Sequence, residues 1–478
     1  MLFRSEEVSS PKPGRKAAKA NLGLQLGVQS TPIGNTAMRR IMNTANTIAP
    51  SFSGMAKQAN KVGRQMESIG RKALCDVRES LVQENSLIGQ TNPSMLNCET
   101  DTCYNNPIYN TDSTPFQAGT VAISTMVENN TRDKKIVAVH IASKLCPLGT
   151  RLRNQGQHVQ CPGHVGCTAN LKESDSIGNE QEYTKTMGNE LRQSGVFIAN
   201  ITADGDSRGH AGVSKTQPHK VGHLKDLRHL GNSMRRAINR APFSKNMFVG
   251  KNKPNLKNRF SHAVKSRCMA ELHQSHASHN GNLQAIKQAM PDVVNAIIHC
   301  FNGYCGESCQ KFSYVCGGTR KTKPWLPNHS HIRMTATDKQ HLTKCINMVL
   351  GQDSLNTTKL LTTTQKCEAV NRAYISVNPK SGNFARNHFG RTYGKIMALN
   401  YGTADSILMK TEMTGANITK RSKVITQLIA SDKTYRSVRT PASIQRRKAA
   451  RAARRARNYQ VHAEIHYAKG LTDPTPVF

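Results

Sequence analysis

The feature that most limits what this chain can fold into is a short apolar run at residues 196–201 (VFIANI), which leads within three residues to Asp204. Gly195 precedes the run and an Asp-Gly pair follows it, so it reads as a short buried strand that stops at a turn. A carboxylate at the mouth of a buried strand is costly unless it is solvated, paired or bound to a metal. An Asp before Gly is most often only a turn residue. The segments upstream decide between a turn and a site.

Those segments set an order. Residues 95–101 alternate weakly and also end on an acid, Asp101. Residues 120–127 are β-branched and strand-like, and residues 135–141 form a third strand across a turn at 128–133, which predicts a hairpin. A helix is expected over 179–193, and then the strand that leads into Asp204. Strand, strand, strand, helix, strand is the opening of a ribonuclease-H-like α/β fold. A helical crossover lays the fourth strand parallel to the first and beside it, which brings Asp101 toward Asp204. Beyond Asp204 the helical period dominates. Residues 224–238 read as a basic helix or helix pair, and further helices are expected over 260–300 and 337–350. A helix beginning near Thr364 carries Glu368. Upstream, residues 57–88 read as one helix interrupted near Gly70, ended by Pro93.

These signals divide the 478 residues into segments. Residues 1–56 are a mobile basic arm, with one short helix near 37–46, and 57–94 an N-terminal helical region. Residues 95–240 hold the first part of the core, with a Cys/His insertion at 146–170. Residues 241–360 are a helical insertion with a cysteine cluster, 361–440 complete the core, and 441–478 are a basic tail. Lys and Arg outnumber Asp and Glu by 67 to 30, for a net charge of +37. That excess calls for a polyanionic partner, nucleic acid before membrane surface. Aromatic residues, at 5%, are too few for a base-stacking single-strand module. No apolar run approaches the length of a membrane span, and the first residues lack the apolar core of a secretory signal. Thirteen cysteines in such a chain read as thiols or metal ligands rather than disulfides.

Asp101, Asp204 and Glu368 are the acids the element pattern places on two strands and a helix. Two-metal phosphodiester chemistry needs such a set: hard oxygen ligands holding two Mg²⁺ or Mn²⁺ ions about 3.5–4 Å apart. With 30 acidic residues in the chain, spacing alone does not single out this triple. Asp112 stays open as an alternative first acid, and Asp206 reads as a turn residue or as one that supports the site from behind. Asp226 and His229 lie one helical turn apart, suited to a phosphate or water contact beside such metals; a packed or capping His is the plainer reading.

The stretch TADGDS around Asp204, the Asp226-Leu-Arg-His229 motif and the QKCEAVNR helix with Glu368 and Asn371 resemble a Mutator-like element transposase. That family has a T-x-D-G-like strand end at its second acid, then a C/D-x-x-H signature, and its last acid in an E-[SA]-x-N helix. The resemblance extends over well over half of the chain, with residues 22–34 (LGLQLGVQSTPIG) and 92–411 similar to the invertebrate form. It implies an RNase H-like core whose acids Asp101, Asp204 and Glu368 bind Mg²⁺, with Asp226, His229 and Asn371 beside them. It also implies cleavage and strand transfer of double-stranded DNA, both element ends and target, by a homo-oligomer in the nucleus. The family often has Asp-Gly-Thr or Asp-Gly-Ala at its first acid, where this chain has Asp101-Thr-Cys. The rival reading is an inactive domesticated transposase or another zinc-stapled nucleic-acid-binding protein.

Two clusters point to zinc. Cys300, Cys305, Cys309 and Cys316 give four thiols, and Cys146, Cys161, His164 and Cys167 give three thiols and an imidazole. Either suffices for a closed tetrahedral site that staples an insertion with little core of its own. Spacings of four, three and six residues in the first set depart from paired C-x2-C knuckles, so thiols packed in a compact turn are the alternative. Arg446, Arg447, Lys448, Arg451, Arg454, Arg455 and Arg457 form a basic run that suits phosphate neutralisation or nuclear import.

Overall fold

The computed structural model describes residues 18–105, 119–131, 133–204, 207–248, 252–318, 332–380, 382, 384–416 and 418–437, with isolated positions up to 453. Helices α1 (Lys19–Gln29), α2 (Asn35–Thr44) and α3 (Phe52–Leu87) precede strands β1 (Met95–Tyr104), β2 (Val121–Glu128) and β3 (Ile136–Ser143). Then come α4 (Pro147–Asn154), α5 (Glu180–Gln193), β4 (Phe197–Ala203), α6 (Arg208–Ser214) and β5 (Gly222–Lys225). A helical stretch follows: α7 (Leu227–Arg240), α8 (Lys253–Ser278), α9 (Leu283–Phe301), α10 (Glu307–Phe312), α11 (Ala336–Leu350) and α12 (Gln352–Thr357). The chain continues with α13 (Gln365–Ile375), α14 (His388–Tyr401), α15 (Thr403–Thr414) and α16 (Lys423–Ser437). Among the described residues no helix is long and apolar enough to cross a membrane.

Residues 25–400 form one compact unit, and residues 1–24 with 401–478 form another. In the smaller unit α15 packs on α16. The Asp432 carboxylate accepts the backbone N–H of Thr403 at 2.8 Å, placing negative charge at a helix N-terminus where it is favourable.

The larger unit is a mixed α/β structure built on a five-stranded sheet of order β3-β2-β1-β4-β5. β1, β2 and β3 form an antiparallel meander, while β1–β4 and β4–β5 pair in parallel. The β2–β3 hairpin is fixed by Glu128, which is fully buried. Its carboxylate accepts the backbone N–H groups of Asn130, Thr131 and Lys135 at 2.7–2.8 Å. β3 is an edge strand, and its exposed backbone groups are covered rather than left open. The Asn400 amide pairs with both the N–H and the carbonyl of Ile136, each at 2.9 Å, and the Arg78 Nε donates to the Val137 carbonyl at 2.8 Å.

Alternation along β2 sends its side chains to two different layers. Val121, Ile123 and Val127 pack with Leu74 of α3, Val370 and Tyr374 of α13 and Ile396 of α14. Ala122 meets Tyr183 of α5 on the other face. The helices α7, α8, α9 and α11 hold a core of their own, with Leu227, Met234, Ile238, Phe260, Ile297 and Ile346 among its members.

The sequence reading and the structure part in three places. Residues 19–44, read as mobile arm apart from a helix near 37–46, carry both α1 and α2, and Leu22 and Leu26 of α1 are buried. α3 runs for 36 residues without a break at Gly70. A Cβ there would come within 2.5 Å of Tyr393, so the glycine marks a close crossing with α14 rather than a helix end. The segment at 224–238 opens on the short strand β5 before it becomes α7.

Candidate active site

The register between the two central parallel strands sets the site. Asn97 lies opposite Asn200, Cys98 opposite Ile201 and Glu99 opposite Thr202, after a one-residue shift between Leu96 and Asn97. Continued along the strands, that register sets Asp101 level with Asp204, the residue that follows β4. Both acids therefore leave the carboxyl end of a parallel pair, where open α/β sheets place their ligands. A pocket of about 120 Å³ lies there, lined by Asp101, Asp204, Glu180, Thr100, Thr184 and neighbouring residues.

Asp101 accepts a hydrogen bond from the Thr102 N–H at 2.9 Å and another from the Asn371 amide at 2.8 Å. Burial raises its pKa, and the charges of Asp204 and Glu180 add to that. The two hydrogen bonds offset part of the rise, and the carboxyl stands at about 6. Like charges held this close favour either a proton or a cation between them.

Glu368 and Asn371 lie at i and i+3 on α13 and share a face. While Asn371 holds Asp101, the Glu368 carboxylate is 3.8 Å from the His229 Nε2, and that same nitrogen is 3.6 Å from Asp204. His229, in the first turn of α7, thus stands between the second and third acids. The other oxygen of Glu368 meets Arg372 at 2.9 Å and Arg228 at 3.3 Å. Asp101, Asp204, His229, Glu368 and Asn371, spread over four elements of the sequence, are brought to one place.

Asp226 has a different position from the one its motif suggests. It is 1% exposed and faces into the protein rather than toward a phosphate or water. One carboxylate oxygen caps α7 by accepting the His229 N–H at 2.8 Å. The other accepts the Thr364 N–H at 2.6 Å and its hydroxyl at 2.9 Å, at the start of α13. A second buried acid, Glu99 of β1, accepts the Cys367 N–H at 2.8 Å and pairs with Lys134 at 3.3 Å. Burial raises the pKa of Glu99, against the pull of the Cys367 N–H and Lys134. The first turn of any helix has N–H groups without intrahelical partners. At the start of α13 two carboxylates from distant segments accept the N–H groups of Thr364 and Cys367 and fix the turn that carries Glu368. The Asp226 motif reads equally as an N-cap, a signal open to sequence reasoning. Glu99 had none beyond an acid in an otherwise buried strand.

Both cysteine clusters close. The donor atoms of Cys146, Cys161, His164 and Cys167 all lie within 4.8 Å of one another, and so do those of Cys300, Cys305, Cys309 and Cys316. In the first, Nε2 of His164 is 3.2 Å from Cys146 and 3.3 Å from Cys161, while Nδ1 lies 3.1 Å from the Val165 carbonyl. That is the outer hydrogen bond that orients a ligating imidazole. Burial pushes the Cys146 thiol up, but the N–H groups of Thr168 and Gly149, with Cys167 and His164, outweigh it and bring it to about 6. In the second cluster burial also acts upward on Cys316. It is overcome by the Gly318 N–H, by Arg267 and by Cys305, and the thiol stands at about 7. Arg267 is buried beside this set, bonded to Glu271 at 2.7 Å and Ser313 at 2.9 Å, with Cys309 at 3.9 Å. Both sets can hold a metal ion.

Asp112, Asp206 and the basic run from Arg447 to Arg457 lie outside the described residues; Arg446 is described and exposed.

A search of curated proteins returned no match. Among solved structures, the Drosophila P element transposase strand transfer complex is similar over 81% of this chain and 93% of that chain, at 9% identity and a TM-score of 0.33. A family model described as Mutator-like transposase matches residues 2–316, which include Asp101, Asp204, His229 and both cysteine clusters, with Glu368 beyond its end. The chain belongs to the Mutator-like transposase family.

Proposed function

We propose that this protein is a DNA transposase with an RNase H-like core, in which Asp101, Asp204 and Glu368 hold a pair of Mg²⁺ or Mn²⁺ ions. The observation that carries the reading is the bridge made by His229 between Asp204 and Glu368, together with the Asn371 bond that ties Asp101 to the helix of Glu368. Bound there, the ions supply activation of water or a 3′-hydroxyl and stabilisation of the leaving oxygen. The chain's own residues do the rest. Asn371 orients Asp101, His229 keeps Asp204 and Glu368 turned toward one another, and Asp226 and Glu99 hold α13 in place. Arg228 and Arg372 neutralise the outer oxygen of Glu368 and present positive charge to an incoming phosphate. The two cysteine clusters hold zinc, each as a closed structural site. The basic tail supplies nonspecific DNA affinity and nuclear import.

The test is divalent-metal-dependent nicking of supercoiled DNA by the purified protein. Glu368→Gln and Asp204→Asn each abolish nicking and leave duplex binding intact. Equal nicking by wild type and Glu368→Gln overturns the assignment of the third acid. Tight binding with no nicking by the wild type on element-end DNA returns the inactive, domesticated reading.

A further inference from the structure

α7 and α8 are charged in one direction only. α7 contains Arg228, Arg235, Arg236 and Arg240 and no acid. α8 contains five Lys or Arg residues and one acid, Glu271, which is buried and already bonded to Arg267. The buried side of α7 is Leu227, Gly231, Met234 and Ile238, spaced as one helical stripe. Arg228, Asn232 and Arg235 follow a second stripe, at i, i+4 and i+7. Gly231 lets α8 approach closely, since a Cβ there would come within 3.1 Å of Lys265. Lys265 therefore crosses to the Asn232 side chain, and the next contact along is Arg235 to the His262 Nε2 at 2.8 Å.

The result is a strip in which Lys265 and Arg235 stand near one another, each held by a neutral side chain, Asn232 and His262. A merely solvated basic face spreads its charges apart, because like charges in proximity are unfavourable. Here Arg235 and Arg228 push the Lys265 ammonium down after burial has already done so, and Arg235 and Lys265 do the same to His262. The Arg235 Nε is buried with no hydrogen-bond partner. At one end the row reaches the site, since Arg228 contacts Glu368. From Arg228 to Arg235 the helix rises about 10 Å, roughly three nucleotide steps of one DNA strand.

We infer that the strip formed by Arg228, Asn232 and Arg235 of α7 with His262 and Lys265 of α8 binds the phosphodiester backbone of duplex DNA and leads it to the carboxylate centre. This rests on the reading of that centre as one that acts on DNA. The contacts are to phosphate, so the strip contributes affinity and direction rather than sequence choice.

The experiment is equilibrium binding of a fluorescent duplex to the full chain in buffer without added Mg²⁺ or Mn²⁺, over a salt series. It compares wild type with Arg235→Gln/Lys265→Gln and with the equal-charge control Lys61→Gln/Lys72→Gln on the exposed face of α3. The strip variant binds every duplex sequence more weakly, and its slope of log affinity against log salt is shallower by about 2. The control keeps the wild-type slope to within about half a unit. Arg235→Lys/Lys265→Arg, which keeps both charges, restores it and separates charge loss from misfolding. An unchanged slope, or a loss equal to that of the control, overturns the inference. Because no Mg²⁺ or Mn²⁺ is added, the outcome does not depend on which acids are catalytic. Failure of the catalytic reading shows separately, as nicking that survives Glu368→Gln while the slope change persists.

Discussion

At the scale of residues, the acids divide by which way they face. Asp101 and Asp204 line one pocket and His229 stands between Asp204 and Glu368, whereas Asp226 and Glu99 are buried and act on backbone. Asp226 makes three hydrogen bonds through two oxygens, to donors in α7 and α13. An amide at this position sets its NH₂ against one of those donors and leaves it unsatisfied, which costs about 1–3 kcal/mol. Asp226→Asn is therefore expected to lower the midpoint of denaturant unfolding. It also lowers the rate of DNA nicking at saturating duplex, with the salt slope of binding unchanged. Glu99→Gln has the milder effect, because a glutamine carbonyl still accepts the Cys367 N–H. Equal, unaltered nicking in both variants would mean that the placement of α13 does not depend on them.

At the scale of elements, glycines report where parts press together. Gly149 of α4 faces the first cysteine set. A Cβ there would come within 2.5 Å of the Cys161 sulfur, 3.2 Å of the His164 Nε2 and 3.4 Å of the Cys146 sulfur. Gly149→Ala is expected to reduce bound zinc from two ions per chain to one, measured by elemental analysis, while the Cys300 set keeps its ion. Gly70 of α3 makes the same point about packing. Alanine is the better helix former by about 1 kcal/mol. Gly70→Ala still destabilises, by about 1–3 kcal/mol in denaturant melts, because Tyr393 has to move. This is also why sequence reading took Gly70 for a break: a helix's own propensities carry no trace of the helix lying across it. Strands β2 and β3 were legible because β-branched runs between turns need no distant information. The cysteine sets were legible because ligand chemistry is written into residue type and spacing. Helix α1 was not: Leu22, Leu24, Leu26 and Val28 alternate at period two among glycines and glutamines, a pattern that argues against a helix, and only the packed structure buries Leu22, Leu26 and Val28. Glu99 was illegible for a stronger reason, since its partner Cys367 lies 268 positions away.

At the scale of the whole molecule, two imidazoles in the larger unit give acid sensitivity a definite window. Burial lowers His140 to about 4, helped by Arg71 against Glu182, and burial with Arg391 lowers His388 to about 4. Unfolded, each titrates near 6.5. The unfolded chain therefore binds more protons between about 4 and 6.5, and stability is lost as pH falls through that range. Asp101, raised to about 6, works in the opposite direction. The comparison is thus between wild type and His140→Phe/His388→Phe. The variant retains more of its neutral-pH stability at about pH 5, by on the order of 1–2 kcal/mol per imidazole, measured by denaturant midpoints. The ends of the helical stretch supply a different kind of consequence. Asp226 bonds to Thr364 across 138 positions, and the Leu227 N–H reaches the Thr362 carbonyl at 3.4 Å. The stretch leaves the core and re-enters it at one clasped point, and closing a loop grows costlier only slowly with its length, by about 0.6 kcal/mol per doubling. Its size is then nearly a free variable, whereas within β1 the count up to Asp101 is rigid, since one residue more turns the acid to the other face. Over evolutionary time the helical stretch can be lengthened, shortened or exchanged like a tool head, while the sheet and α13 that it clasps stay the same.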